Sequence, residues 1–365
     1  MLIHICCSVD SHYFLQKLKE DYPNENLIGF FYDPNIQPYS EYKLRLYDVK
    51  YSCKKLGIKL LEGEYDLSEW LIAVKGLENE PEKGDRCTVC FDKRLETTVL
   101  KAKELGHDKF TTTLLISPKK SQNKLNIIGN ALEDEYKIQF VFKDHRSGNG
   151  QELQAKKVKE NSLYRQNYCG CLYGLTPQRE QQNKLMDEMI SPISNQILPE
   201  SIEQRLVIYA KRNLYNQYNK KFKIIKQRFL NYRLLSAKVL VQNEVSLTKE
   251  NVFSHFLPYS TMNKKIAKGK IEYDINNVHY FNKDEIKIIT INTYNNYAKT
   301  SYKNVKELIY NPPTFNYEKK VKETLLHNTC DMSCVIVLDK IPNSKVEIFL
   351  DSKTYEDIED KVILL

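Results

Sequence analysis

The sequence predicts an α/β protein, a mostly parallel sheet with helices on both faces, followed by a C-terminal α+β extension. Short apolar runs of strand type alternate with helical segments of roughly 10–20 residues through the first half, the pattern of parallel strands joined by crossover helices. Charge and cysteine divide the chain in the same place. Residues 1–180 hold 27 Lys and Arg against 26 Asp and Glu, and residues 181–365 hold 28 against 21, so nearly all of the formal net charge of +8 belongs to the second half. Seven of the nine cysteines belong to the first. The expected organisation is a domain at 1–180 that carries the chemistry and a basic extension at 181–365.

The elements follow in order. Leu2–Cys6 is a short apolar strand, followed by a helix from about Ser11 to Glu20. Leu27–Tyr32 is a second buried-type strand, ended by Asp33-Pro34. A helix over Ser40–Leu56 stops at Gly57, a C-terminal cap, and Ile58–Leu61 is the next strand. Glu69–Val74, Arg86–Leu105 and Leu125–Glu135 read as helices, Phe110–Leu115 and Ile138–Phe142 as strands. In such sheets the functional crevice lies beyond the carboxyl ends of the strands, and Cys6 and Cys7 fall at the end of the first. Asn183–Leu198 reads as a connecting segment. Strand-like pattern returns at Gly269–Ile275, Glu285–Ile291 and Lys345–Leu350.

Composition narrows the class. With 41% hydrophobic and 28% charged residues and only 12 Gly and 12 Pro, the chain is neither collagen-like nor broadly disordered. No run of about 18 apolar residues exists to span a membrane. The N-terminus lacks the basic, apolar and small-residue segments of a secretory signal, so a cytoplasmic location is expected. In a reducing compartment, nine cysteines point to metal binding or catalysis before disulfides.

Six of those cysteines form close pairs: Cys6-Cys7, Cys87-Thr-Val-Cys90 and Cys169-Gly-Cys171. Four thiolates suit zinc or an iron–sulfur cluster, and vicinal Cys-Cys is awkward for structural zinc. Cys87 and Cys90 open a helix, whose dipole, with Arg86, is expected to favour thiolate. Cys169 and Cys171 suit a reversible redox pair. Asp10, three residues after Cys7, offers a hard oxygen beside soft sulfurs, which fits iron better than zinc. Cys53 reads as a small packing residue. Cys330 and Cys334, four apart beside Asp331, lack further partners in the sequence.

These segments resemble the iron–sulfur epoxyqueuosine reductases of the QueH type. The matching stretches are His4–Cys7, Phe30–Pro38 with Glu41, Tyr42 and Arg45, Arg86–Cys90, Phe110–Pro118, Asp144–Arg146 and Leu163–Cys171, all in family order. The resemblance implies a nucleotide-hydrolase-like (HUP) α/β domain with a 4Fe-4S cluster that reduces epoxyqueuosine to queuosine at the wobble position of tRNA. It implies Cys6, Cys7, Cys87 and Cys90 as cluster ligands. Cys169 and Cys171 would be a redox pair or would help hold an additional mononuclear iron with Asp10. Many relatives have a cysteine where this chain has Asp10. A ferredoxin or flavodoxin is the expected electron donor. Residues 181–365 lie outside the resemblance.

Further site residues are expected on chemical grounds. Tyr32, Glu41 and Tyr168 are candidate proton donors, and Arg45, Arg146 and Arg165 candidate substrate contacts, arginine offering planar paired donors. Arg205–Asn243 holds ten basic and no acidic residues, interleaved with Tyr209, Tyr215, Tyr218, Phe222, Phe229 and Tyr232. Lys220, Lys221 and Lys223 there are the expected phosphate contacts, and the aromatics candidates for stacking on unpaired bases. Two alternatives stand beside the reductase: a tRNA sulfur-transfer enzyme and a zinc-stabilised RNA-binding protein. The first is disfavoured because Cys-Cys-Ser-Val-Asp-Ser11 has no glycines to admit a phosphate.

Overall fold

The chain is described by a computed structural model over residues 1–194, 196–243, 248–329 and 331–365. Cys330 therefore lies outside the described residues. Contacts divide the rest into two units: Met1–Ile190 with Arg205–Ile224 and Val362–Leu365, and Ser191–Gln204 with Ile225–Lys361. The basic extension expected at 181–365 is thus shared between both, because the 205–224 segment packs with the first.

In the first unit the strands are β1 (Leu2–Ile5), β2 (Ile28–Phe31), β3 (Lys59–Glu62), β4 (Lys109–Thr112) and β5 (Gln139–Phe140). Between and after them come α1 (Ser8–Asp21), α2 (Tyr39–Leu56), α3 (Leu67–Ala73), α4 (Asp85–Glu104), α5 (Gln122–Tyr136), α6 (Gly150–Glu160), α7 (Leu172–Gln181) and α8 (Ile202–Gln217). All four strand pairings are parallel, in the order β3-β2-β1-β4-β5. β1 is central and wholly buried, as expected of a strand covered by helices on both faces. The sequence changes direction of travel from β1, so the crevice at the carboxyl ends of β1 and β4 is the switch point of the sheet. Gly57 adopts φ 64°, and its N–H closes α2 on the Cys53 and Lys54 carbonyls, as its position predicts.

Two local expectations differ from the structure. The strand expected over Phe110–Leu115 stops at Thr112, whose hydroxyl accepts from the Leu114 N–H at 3.1 Å and turns the chain into a 3-10 turn at Thr113–Ile116. α6 and α7 fall where no helix was expected; their apolar residues are too sparse to show a period.

The second unit is built on β6 (Phe222–Gln242), β7 (Lys249–Val252), β8 (Ser254–Phe256), β9 (Ile266–Gly269), β10 (Tyr273–Ile275), β11 (Val278–Phe281), β12 (Ile286–Thr290), β13 (Cys334–Leu338) and β14 (Val346–Leu364), with α9 (Ile291–Ala298), α10 (Val305–Tyr310) and α11 (Phe315–Leu326). They form a five-stranded sheet, β10-β11-β12-β13-β8, and a four-stranded one, β7-β6-β14-β9. The run read as one strand at Gly269–Ile275 is split between the two sheets. Arg205–Asn243 is a helix followed by a 21-residue strand.

Two of that segment's arginines are structural. Arg212 is fully buried in the first unit and pairs through Nη1 with Asp48, whose other oxygen accepts from Ser8 Oγ and from the Tyr164 N–H at 2.9 Å. Arg233 is buried in the second unit on the carbonyls of Tyr232 and Pro199. Tyr209 and Tyr232 are core residues, so neither is available for stacking on a base. A buried ion pair broken from one side leaves a charge without compensation. Arg212→Met is expected to destabilise the first unit by about 3–5 kcal/mol, read as a lowered denaturation midpoint, whereas Lys211→Met on the exposed face should leave the midpoint unchanged.

Candidate metal centre

The chain leaves β1 at Ile5, places Cys6 at the strand's carboxyl end and Cys7 at the cap of α1, and returns Asp10 one turn into that helix. Cys6 Sγ stands 3.7 Å from Cys7 Sγ and 3.7 Å from Asp10 Oδ2. The three ligand atoms lie within 4.8 Å of one another, the one such trio of His, Cys, Asp or Glu among the described residues. Asp10 Oδ1 accepts from Gln154 Nε2 of α6 at 3.0 Å. Burial raises the Asp10 carboxyl above its ordinary range, against the opposing pull of Lys120, Ser117 and Gln154.

Cys87 and Cys90 sit in the first turns of α4, as expected. Cys87 Sγ accepts from the Lys83 N–H at 3.2 Å. Cys90 is buried against Trp70, Val74 and Cys171. Arg86 does not serve these thiols: its guanidinium turns back onto the carbonyls of Leu77, Glu78 and Glu80 and closes the loop before the helix. Burial, rather than the helix dipole, decides Cys90 and raises its thiol, with Arg94 opposing. Arg94, one turn on, is buried, pairs with Asp33, and interacts electrostatically with Cys90, Cys6 and Cys169.

The Cys169-Gly170-Cys171 loop is held to the start of α2. Arg45 donates to the carbonyls of Cys169 at 2.8 Å and Tyr168 at 3.0 Å, while its Nε meets Glu41 Oε1 at 2.7 Å. Glu41 Oε2 accepts from Tyr164 Oη at 2.9 Å, and Tyr168 Oη donates to the Gln37 carbonyl at 2.6 Å. Gly170 has φ 115°, and a Cβ there would lie 2.9 Å from Ile36 and 3.2 Å from Arg45, so no other residue fits without moving the loop. The two sulfurs differ. Cys169 Sγ accepts from Lys120 Nζ at 3.0 Å; burial works to raise its thiol, but Lys120, with Arg94 and Arg45, holds it below the ordinary value. Cys171 faces the Trp70 cluster, and burial pushes its thiol up to about 12.

A cavity of about 140 Å³ opens between these parts, lined among others by Cys6, Asp10, Arg94, Lys120, Arg165 and Cys169. The remaining expected residues divide. Arg45 lines the cavity while clamping the loop, and Arg165 stands exposed at its mouth. Glu41 is fully buried with both oxygens engaged, and Tyr32 is buried and donates to Asp66 at 3.0 Å, so both are supports and not proton donors. Tyr168 lines the cavity, but its hydroxyl proton is committed to the Gln37 carbonyl. Arg146 reaches the Leu114 carbonyl at 3.4 Å and is not part of the cavity wall. Lys220, Lys221 and Lys223 are exposed on the first unit, beside the exposed Tyr218. Lys120, Arg94 and Gln154 were not anticipated. Each is a lone polar residue in sequence, and only its burial against a thiol or Asp10 gives it significance.

The family described as Epoxyqueuosine reductase QueH matches residues 1–177. An Epoxyqueuosine reductase QueH of Helicobacter pylori is 40% identical over 377 residues, covering 100% of this chain and 100% of that protein. That of Thermotoga maritima is 36% identical over 188 residues, 51% of this chain and 95% of its own. Among solved structures, a predicted subunit of tRNA methyltransferase from Methanocaldococcus jannaschii is 17% identical, with a TM-score of 0.31 over 43% of this chain and 76% of that one.

The Lys120 ammonium favours thiolate at Cys169, so removing it raises the pH at which that thiol ionises. In protein stripped of metal, the half-buried Cys169 should be alkylated faster at neutral pH than the buried Cys53, Cys90 and Cys171. Lys120→Met should slow that reaction several-fold and move its pH midpoint upward; peptide mapping of the alkylated chain reads both.

Proposed function

Because this chain belongs to the epoxyqueuosine reductase QueH family, we propose that its oxidoreductase chemistry on tRNA takes place in the cavity beyond β1 and β4. The reaction converts epoxyqueuosine to queuosine: two electrons and two protons enter, the epoxide oxygen leaves as water, and a carbon–carbon double bond remains. The family implies a metal cofactor, and the donor set fits one. Cys6 and Cys169 line a crevice with Arg94 and Lys120, whose charges act on Cys6, Cys87, Cys90 and Cys169.

We assign a 4Fe-4S cluster to Cys6, Cys7, Cys87 and Cys90, and an additional iron to Asp10 with Cys169 and Cys171. Bound there, the cluster supplies electrons singly and the additional iron a Lewis acid. Cys6 and Cys7 would hold the cluster from the end of β1 and Cys87 and Cys90 from the start of α4. The mixed sulfur and carboxylate set favours iron over zinc.

The chain's own residues do the rest. The cavity is smaller than the roughly 300–1,000 Å³ of ordinary ligand sites, so it admits the epoxide-bearing edge of the nucleoside and leaves the remainder at the mouth. Lys120 Nζ sits in its wall and stabilises negative charge developing on the leaving oxygen. Asp33 Oδ2 is buried in the same wall without a hydrogen-bond partner among the described residues. Burial raises that carboxyl above its ordinary range while Arg94, paired with its Oδ1, and Arg45 oppose the rise, so Asp33 anchors Arg94 in the cavity wall. Arg165, exposed at the mouth, meets a phosphate of the anticodon loop. Lys220, Lys221 and Lys223, with Tyr218, extend that contact along the tRNA.

A single-electron cofactor calls for a single-electron donor, a ferredoxin or flavodoxin, and a cytoplasmic setting. No helix among the described residues is long and apolar enough to cross a membrane.

The observation that carries this reading is the meeting of Cys6, Cys7 and Asp10 at the sheet's switch point in a chain 40% identical throughout to a named reductase. Anaerobic incubation with epoxyqueuosine-containing tRNA and a low-potential reductant should yield queuosine on nucleoside analysis. Cys87→Ser should abolish both turnover and the brown iron–sulfur absorption. Asp10→Ala should lower turnover and iron content while leaving that absorption in place; unchanged turnover would remove Asp10 from the site. Charge reversal of Lys220, Lys221 and Lys223 together should weaken tRNA binding and reduce its salt dependence by about three phosphate contacts, and equal affinity at every salt concentration would exclude this surface.

A further inference from the structure

A second cavity, of about 580 Å³, lies wholly within the second unit and shares no residue with the metal centre. Its volume falls inside the roughly 300–1,000 Å³ of small-molecule sites. Lys322, on α11, is buried and lines it. Its Nζ donates to the carbonyls of Tyr259 at 2.9 Å and Pro258 at 3.3 Å. Those carbonyls are fixed, because Tyr259 takes φ 60° and its hydroxyl donates to the Leu230 carbonyl at 2.7 Å.

An ammonium has three donors, and only two are used here. Among the described residues Lys322 has no third acceptor and no carboxylate within ion-pair distance. The other two cations on the cavity wall are paired, and Asp331 is the remaining carboxylate, which acts on Lys322 electrostatically without reaching ion-pair distance. Lys319 meets Glu323 at 3.8 Å, Lys361 meets Glu359 at 2.9 Å, and Asp331 accepts from the Ser333 N–H at 2.7 Å. The third N–H of this buried ammonium is left for an acceptor that enters the cavity, and a phosphate oxygen is such an acceptor. Cys334 and Asp331 steady the ammonium and Lys287 opposes it, but burial dominates and lowers it to about 8.

The rest of the wall describes the body of that anion. Tyr259, Phe229 and Met332 offer half-buried aromatic and thioether surface for a flat ring. Gln227 and Asn316 stand exposed at the rim, and their carboxamides both donate and accept, as the edge of a nucleobase requires. We propose that the second unit carries a nucleotide site in which Lys322 holds a phosphate and the base lies against Tyr259 and Phe229. The occupant is a phosphorylated nucleoside, supplied free or as one unit of an RNA strand.

The test uses the full chain. AMP, GMP, CMP and UMP are titrated singly by calorimetry, and tRNA affinity is measured in parallel, for the wild type and for Lys322→Met. At least one mononucleotide should bind saturably, and the substitution should weaken it by about tenfold or more. If tRNA affinity is then unchanged, the site takes a free nucleotide. If no mononucleotide binds but Lys322→Met weakens tRNA binding several-fold, the site takes a nucleotide of the RNA. If neither measurement responds, the proposal is overturned. Should Lys322→Met fail to fold, Gln227→Leu and Asn316→Leu at the exposed rim carry the same two readouts. Turnover of epoxyqueuosine at saturating tRNA, followed alongside, reports the metal centre alone and separates its failure from failure of this site.

Discussion

The buried Arg45–Glu41 pair is the contact on which the candidate centre depends. Its guanidinium reaches two carbonyls of a loop more than 120 residues further along the chain, and its carboxylate partner is braced by Tyr164 from the same loop. Cys169 is thereby brought to the crevice that Cys6 and Cys7 occupy at the end of β1. Breaking such a pair from one side costs about 3–5 kcal/mol, because the remaining charge stays buried. The fold accepts the desolvation because the fork of donors on one arginine satisfies three acceptors at once. Position 170 must then be glycine, since its φ of 115° and the close approach of Ile36 and the Arg45 guanidinium leave no place for a side chain.

Around that clamp the molecule gathers positive charge wherever it gathers thiols. Arg94, Lys120 and Arg45 are all withdrawn from bulk solvent, and all act on Cys169. Lone sulfurs in such a place would stay protonated, as Cys53 does, where burial pushes the thiol up to about 12 with nothing to oppose it. The contrast separates a packing cysteine from one prepared to ionise, and it follows from neighbours contributed by different helices and loops.

The second unit has a different logic. The basic surplus of residues 181–365 does not form one surface, because Arg212 is taken into the core of the first unit and Arg233 into that of the second as structural charges. Exposed on the first unit are Lys211 and the short Lys220–Lys223 stretch where α8 gives way to β6. In the second unit the notable cation is instead the buried Lys322, placed by α11 over two backbone carbonyls.

Much of this was written in the residues themselves. The alternation of apolar runs with helical stretches gave the parallel sheet, because a strand covered on both faces has few alternatives to continuous hydrophobicity. The end of β1 marked the crevice, and paired cysteines marked the chemistry. Gly57 announced the end of α2 by its freedom to take positive φ. Other features became visible only on folding. Tyr32 and Glu41 look like acids beside a site until their hydroxyl and carboxylate are seen bound to Asp66, Arg45 and Tyr164. Lys120 and Gln154 look like ordinary loop and helix residues until one is found on Cys169 and the other on Asp10. The sequence alone settled the strands and helices of the central parallel sheet up to α5, apart from the early end of β4, and which residue types supply the sulfur, since periodicity and spacing are local properties. Which charges face those sulfurs, and which serve only to brace them, is set by long-range packing, because desolvation and ion pairing depend on neighbours that linear order does not reveal.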